Sequence, residues 1–212
     1  SYTCAHCHAV VEPASNGYAR PGHPLGDASA RVDYKNGQVS SLREAANSCL
    51  DEWMNAGTWS NANADWLKLE DWLSQHAPPE TAESVDIQIA AVPAILTGGD
   101  ASAGRETFNS SCAICHAQDG EGSLQAPAIG GFGYDSNYVA NRVRNSGRSD
   151  SQVYDGLTGG IMPFWGANRF SDAELLNVVA FLELGEDDLE AITGDTGNNT
   201  GGSGCASDHE KV

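Results

Sequence analysis

Two pentapeptides, Cys4-Ala5-His6-Cys7-His8 and Cys112-Ala113-Ile114-Cys115-His116, constrain this chain more than anything else in it. Each reads C-x-x-C-H, the spacing that attaches a c-type haem. Two thiols two residues apart reach the two vinyl groups of one porphyrin as thioethers. The histidine that follows is then held beneath the iron as its proximal ligand. C-x2-C pairs also bind zinc. That reading fits less well, because zinc pairs usually lie closer together and need no histidine directly after each pair. The expectation is two covalently attached haems, one on Cys4, Cys7 and His8 and one on Cys112, Cys115 and His116.

A repeat in spacing supports the pairing. The motifs lie 108 positions apart (Cys4 to Cys112), and so do the only two methionines, Met54 and Met162. Each histidine therefore precedes its methionine by 46 residues (His8 to Met54, His116 to Met162). Thioether sulfur is a soft, neutral ligand that favours Fe(II) and raises the reduction potential. Met162 sits in Met162-Pro163-Phe164, a stiff loop suited to holding it over the iron. Met54 is the expected counterpart on the first haem. The Pro127 carbonyl is expected to accept from His116 and fix its ring, and the Pro24 carbonyl to do the same for His8.

The 212 residues accommodate two haem modules of about a hundred residues each. The expected division is a first haem domain over 1–76, a linker over 77–99, a second haem domain over 100–185 and a low-complexity acidic tail over 186–212. The formal net charge is −18, which disfavours nucleic acid and anionic membranes and favours basic partners or a salty medium. No stretch approaches the length of a transmembrane helix. Attachment to C-x-x-C-H takes place outside the cytoplasm, so a periplasmic or extracellular chain, its export signal removed, is expected. Four of the six cysteines serve the haems; Cys49 and Cys205 remain, in a compartment where disulfides persist.

The fold expected is mainly α. Leu42, Ala45, Ala46, Cys49, Leu50 and Trp53 recur at helical spacing over residues 41–55, and Leu69, Trp72 and Leu73 mark a second helix over 64–75. Residues 85–92 alternate as a short strand or an extended strap. In the second half, helices are expected from Ser102 or Ala103 to Cys112 and from Tyr138 to Arg148, with Arg142 and Arg144 as candidate partners for haem propionates. Ser171-Asp172-Ala173-Glu174 is a capping box opening a last helix through Leu184.

With these motifs and spacings, the chain resembles tandem class I dihaem cytochromes c. The second half matches that family from the helix before Cys112 to the helix after Met162; the first lacks the usual helix before its haem motif. Leu42 through Asn55, above all Asn47-Ser48-Cys49 followed by Met54-Asn55, is similar to the first domain of thiosulfate dehydrogenases and related sulfur-oxidising dihaem cytochromes. In those enzymes a cysteine of this region ligates the catalytic haem, which makes Cys49 a rival to Met54. On one helix, five residues turn these two about 140° apart. A histidine such as His23 or His76 is a third option.

The function expected is an exported relay of single electrons between redox partner proteins, with no catalytic residues of its own. The alternative is an enzyme oxidising a small sulfur anion such as thiosulfate at a Cys49-ligated haem, which requires a local basic pocket from Arg20, Arg31, Lys35 and Arg43 to offset the acidic surface. A third possibility is self-assembly, with Cys205 of the tail bonding Cys49 of a neighbour; a Cys49–Cys205 bond within one chain is the simpler alternative.

Overall fold

In the computed structural model, which describes residues 2–194, helix α4 (Ala101–Ser111) lies across helix α7 (Asp172–Leu182). Gly104 makes the crossing possible: a Cβ there would sit 1.9 Å from the Asn177 carbonyl oxygen. Asp100 caps α4 by accepting from the Ala103 N–H at 2.8 Å. The Ser171/Glu174 capping box opens α7 as the sequence predicts. Helix α5 (Ala113–His116) follows directly after Cys112, and α6 (Ser136–Asn145) packs on α7. Phe108, Val139, Val143, Leu175, Val178 and Phe181 form the centre of this core.

Three expectations for this half need correction. Helix α6 starts and ends earlier than the apolar pattern suggests, because the Asp135 side chain caps it by accepting from the Tyr138 N–H. Arg144 does not face a haem edge. It is fully buried and donates to the Trp165 and Phe170 carbonyls at 3.0 and 2.8 Å and to Asp172 at 2.8 Å, tying α6 to the start of α7. The segment after Gly185 begins as a helix, α8 (Glu186–Thr193), with Leu189 and Ile192 against the core. Glu186, Asp187 and Asp188 fall in its first turn, where negative charge is favourable. Cys205 and the rest of the expected tail lie outside the described residues.

The first half contains α1 (Cys4–Cys7), α2 (Leu42–Glu52) and α3 (Ala64–His76). Ser41 caps α2 and Asn63 caps α3. Helix α2 closes at Glu52, short of the predicted Asn55. The Cys49 carbonyl accepts from both the Trp53 and Met54 N–H groups at 3.1 Å, and Asn55 reverses the chain at φ 46°. Trp66 and Leu73 are the buried face of α3, whereas Trp72 turns outward and packs at a tilt against His76.

Among the described residues the only β-pairings are isolated bridges, and no helix is long and apolar enough to cross a membrane. Residues 82–96 form an extended strap. The Ala82 N–H bonds the Ala30 carbonyl, the Asn36 amide grips both backbone groups of Ile87, and Val92 and Leu96 pack on the second core.

Candidate functional site

Each C-x-x-C-H motif forms one short helical turn whose histidine projects beside a cavity. In the first, Thr3 and His6 cap α1 reciprocally, and the His8 N–H bonds the Cys4 carbonyl at 2.8 Å. Residues 22–26 then run alongside residues 7–10, through Gly22 to Cys7, Leu25 to Ala9 and Gly26 to Val10. Gly22 is required for that approach, since its Cβ would lie 2.3 Å from His8 Cε1. His8 Nδ1 is 2.7 Å from the His23 carbonyl. The acceptor is thus one residue before the expected Pro24, whose own carbonyl takes the Arg31 guanidinium. In the second motif His116 Nδ1 meets the Pro127 carbonyl at 3.0 Å, as expected. A carbonyl only accepts, so Nδ1 carries the proton in both rings and each Nε2 keeps a free lone pair.

Two of the motif sulfurs, those of Cys7 and Cys112, are strongly desolvated. Burial, reinforced by the nearby Cys49, Cys115 and Cys4 sulfurs, pushes the Cys7 thiol up to about 12. Burial does the same to Cys112, also to about 12. Such positions suit neutral sulfur, the state of a thioether. The cavities measure about 200 Å³ beside His8 and 250 Å³ beside His116. The walls are mainly apolar side chains, Leu50, Trp53 and Leu73 in the first and Phe108, Val143 and Leu182 in the second. Paired thiols, a free imidazole nitrogen and a dry slot are the donor set and enclosure that a covalently held haem needs, and both sites fit it.

The distal sides differ. Met162 lines the second cavity and packs on its core. In the first, Cys49 and Met54 line the same cavity, Met54 from the turn after α2 and not from the helix itself. Cys49 is the more tightly engaged. Its sulfur receives a hydrogen bond from Lys35 Nζ at 3.4 Å and lies against the His8 ring. Burial alone would raise the Cys49 thiol, but the Lys35 ammonium, and after it the His8 ring, hold it down at about 6. Lys35 takes φ 54° in the turn Tyr34-Lys35-Asn36-Gly37, and its ammonium stands 5.0 Å from the Tyr154 ring centre. Its own pKa is raised: burial would lower it, and the Cys49 and Tyr154 groups outweigh burial. His23 lines the first cavity but spends its carbonyl on His8; His76 is on the surface against Trp72.

Of the four cations considered for a basic pocket, Arg31 and Lys35 line the first cavity. Arg20 is buried on the Ala5 and Tyr18 carbonyls, and Arg43 holds the Trp59 carbonyl. Sequence reasoning missed Tyr154 and Arg169, which also line this cavity although they lie far along the chain. No local pattern marks them.

The two cavities share walls. Tyr2, Pro21, Ile161 and Pro163 border both, so the residues flanking Met162 also face the first site. Phe164 continues that wall, with its ring 6.0 Å from Trp53. Ion pairs Arg148–Asp51 and Arg169–Glu12, and a hydrogen bond from Ser151 to the buried Glu52, fasten the halves together.

Comparison with known proteins covers the second half of the chain. The cytochrome c family pattern matches residues 101–185. Cytochrome c-555 of Chlorobaculum thiosulfatiphilum is 33% identical over 84 residues, which are 39% of this chain and 93% of that protein. The chain belongs to the cytochrome c family. Cytochrome c-555 of Chlorobaculum tepidum matches at 33% over 84 residues, 74% of its length. Cytochrome c of Tetrahymena pyriformis is 58% identical over 33 residues, 16% of this chain and 29% of that protein. A cytochrome c-like haem domain is therefore present, built on α4 to α7. The Cys4–His8 motif lies outside the residues that the cytochrome c pattern covers, although part of its cavity wall, from Tyr154 to Arg169, lies within them.

Proposed function

We propose that the chain is an exported dihaem c-type cytochrome that passes single electrons between redox partners through both sites. The observation that carries this reading is the shared wall: two C-x-x-C-H sites open on adjacent cavities bordered by the same four residues, Tyr2, Pro21, Ile161 and Pro163. Haem supplies one-electron iron chemistry when bound. Cys4, Cys7, Cys112 and Cys115 attach it, and His8 and His116 are the proximal ligands, oriented by the His23 and Pro127 carbonyls. Met162 is the distal ligand of the second site. At the first, Cys49 is better placed than Met54, because it contacts His8 and Lys35. The domain division remains 1–76, 77–99 and 100–185, with a linker that closes the first cavity through Val85 and Ile87.

Haem content per chain, by pyridine haemochrome and intact mass, tests the reading. Two covalent haems are expected, and one haem refutes it. Electron paramagnetic resonance of the oxidised protein tests the ligands: a thiolate-type signal lost in Cys49→Ala and kept in Met54→Ala is expected. A thioether-type signal at the first site, lost in Met54→Ala and kept in Cys49→Ala, restores Met54.

One observation favours a second reading, oxidation of a small sulfur anion. Lys35 and Arg31 place two cations in the wall of the first cavity within a chain of net charge −18. Joining two thiosulfates into one tetrathionate releases two electrons, the number that two one-electron carriers accept. Rapid-mixing spectroscopy with thiosulfate tests this reading, and the absence of thiosulfate-dependent reduction sinks it.

A further inference from the structure

Two buried guanidiniums in the wall of the first cavity carry an inference that rests on the dihaem reading. Arg31 and Arg169 both line that cavity, with side chains 7% and 14% exposed. Arg31 donates through Nη2 to the Pro24 carbonyl and Asp27. Arg169 donates through Nη1 and Nη2 to Glu12, and through Nη2 to the Arg20 and Gly22 carbonyls at 3.0 and 3.2 Å. The Nε of each is buried and has no partner. An orphaned donor is unusual, because buried polar groups nearly always find partners, and Arg31 and Arg169, which each carry one, both line this cavity. His23 lines the same cavity wall as the two guanidiniums.

We infer that Arg31 and Arg169 form a two-cation cradle for the paired carboxylates at the edge of the first haem, one cation from each half of the chain. Guanidinium suits this task because its planar fork presents several donors to a carboxylate at once. Each fork is already anchored by one acid, Asp27 or Glu12, which fixes its plane and leaves donors to spare. The second half thereby completes the first haem's site. The same wall could instead hold a free oxyanion, so the test separates the two sources.

The experiment is spectroelectrochemical titration of the holoprotein at fixed pH, following each haem by its distal-ligand spectrum. Arg169→Gln and Arg31→Gln each remove a positive charge beside the first haem. Both are expected to lower its midpoint potential and leave the second haem unchanged, while Arg169→Lys retains most of the wild-type value. Glu12→Gln breaks the same ion pair but removes a negative charge, so it is expected to raise the potential. A merely structural role would move Arg169→Gln and Glu12→Gln in the same direction and overturns the inference. Unchanged potentials in both arginine variants, with two haems still attached, overturn it too. A first-haem spectrum that responds to added sulfate or thiosulfate, with the response lost in Arg169→Gln while the potential stays put, assigns the pair to a free oxyanion and also overturns it. A single haem in the wild-type protein fails the underlying reading separately, and the cradle falls with it.

Discussion

Gly22→Ala is the sharpest probe of how the first site is built. A Cβ at this position would stand 2.3 Å from His8 Cε1, 2.5 Å from Nδ1 and 2.8 Å from the Cys7 carbonyl oxygen. Ordinary contact begins near 3.4 Å, so the imidazole must retreat by about 1 Å or the 22–26 segment must lift off. Neither movement is free. The ring is held by the 2.7 Å bond to the His23 carbonyl, and the segment by three backbone bonds to residues 7–10. Overpacking of this kind costs about 1–3 kcal/mol, and losing the histidine bond adds about 1 kcal/mol. The total expected loss is about 2–4 kcal/mol by guanidinium titration, accompanied by an altered spectrum of the first haem and an unaltered second. Gly57→Ala is the control, because nothing lies within 4 Å of its Cβ. A loss below about 0.5 kcal/mol with both haem spectra intact would refute the packing argument.

Other perturbations separate the remaining features. Gly104→Ala drives a Cβ into the Asn177 carbonyl and is expected to destabilise the α4–α7 crossing by about 3 kcal/mol, read as a lowered thermal midpoint. Arg144→Met strands the Trp165 and Phe170 carbonyls in the core, and chemical denaturation should show a loss of about 2–4 kcal/mol. Asp119 is held below the usual carboxylate range, chiefly by its hydrogen bond from Arg105. A depressed folded pKa stabilises above the unfolded value near 4 and is lost as pH falls through the folded one. The stability gap between wild type and Asp119→Asn should therefore be full at neutral pH and narrow as pH falls below the unfolded value; a gap independent of pH contradicts this. Self-assembly through Cys205 predicts a ladder in non-reducing electrophoresis, abolished by Cys205→Ser, and a single monomer band rejects it.

The parts of this molecule that were legible in its sequence are those fixed by local chemistry. The haem motifs, the Ser171/Glu174 cap and the Pro127 carbonyl depend on residues within about a dozen positions of one another. Periodicity located α2, α3, α4 and α7, and failed at the ends, where single side chains such as Asp135 decide the boundary. It also placed Met54 on α2, because a hydrophobic pattern does not register that the Cys49 carbonyl is capturing two amides to close the helix. The acidic composition of residues 186–193 suggested a tail, whereas three acids in a first turn complement a helix N-terminus. Tyr154 and Arg169 join Lys35 at one cavity from more than a hundred residues further along the chain, and such a meeting leaves no trace in local spacing.

The shared wall also bears on the order in which the molecule is made. Cys4, Cys7 and His8 emerge from synthesis about 150 residues ahead of Tyr154, Phe164, Asn168 and Arg169 of the same cavity. At a synthesis rate of about 5–20 residues per second, that wall is missing for roughly ten to thirty seconds. The earlier motif thus has the later pocket. Until those residues fold against it, the Cys4–His8 segment stands in the open, and its cavity closes only when residues 154–169 are in place.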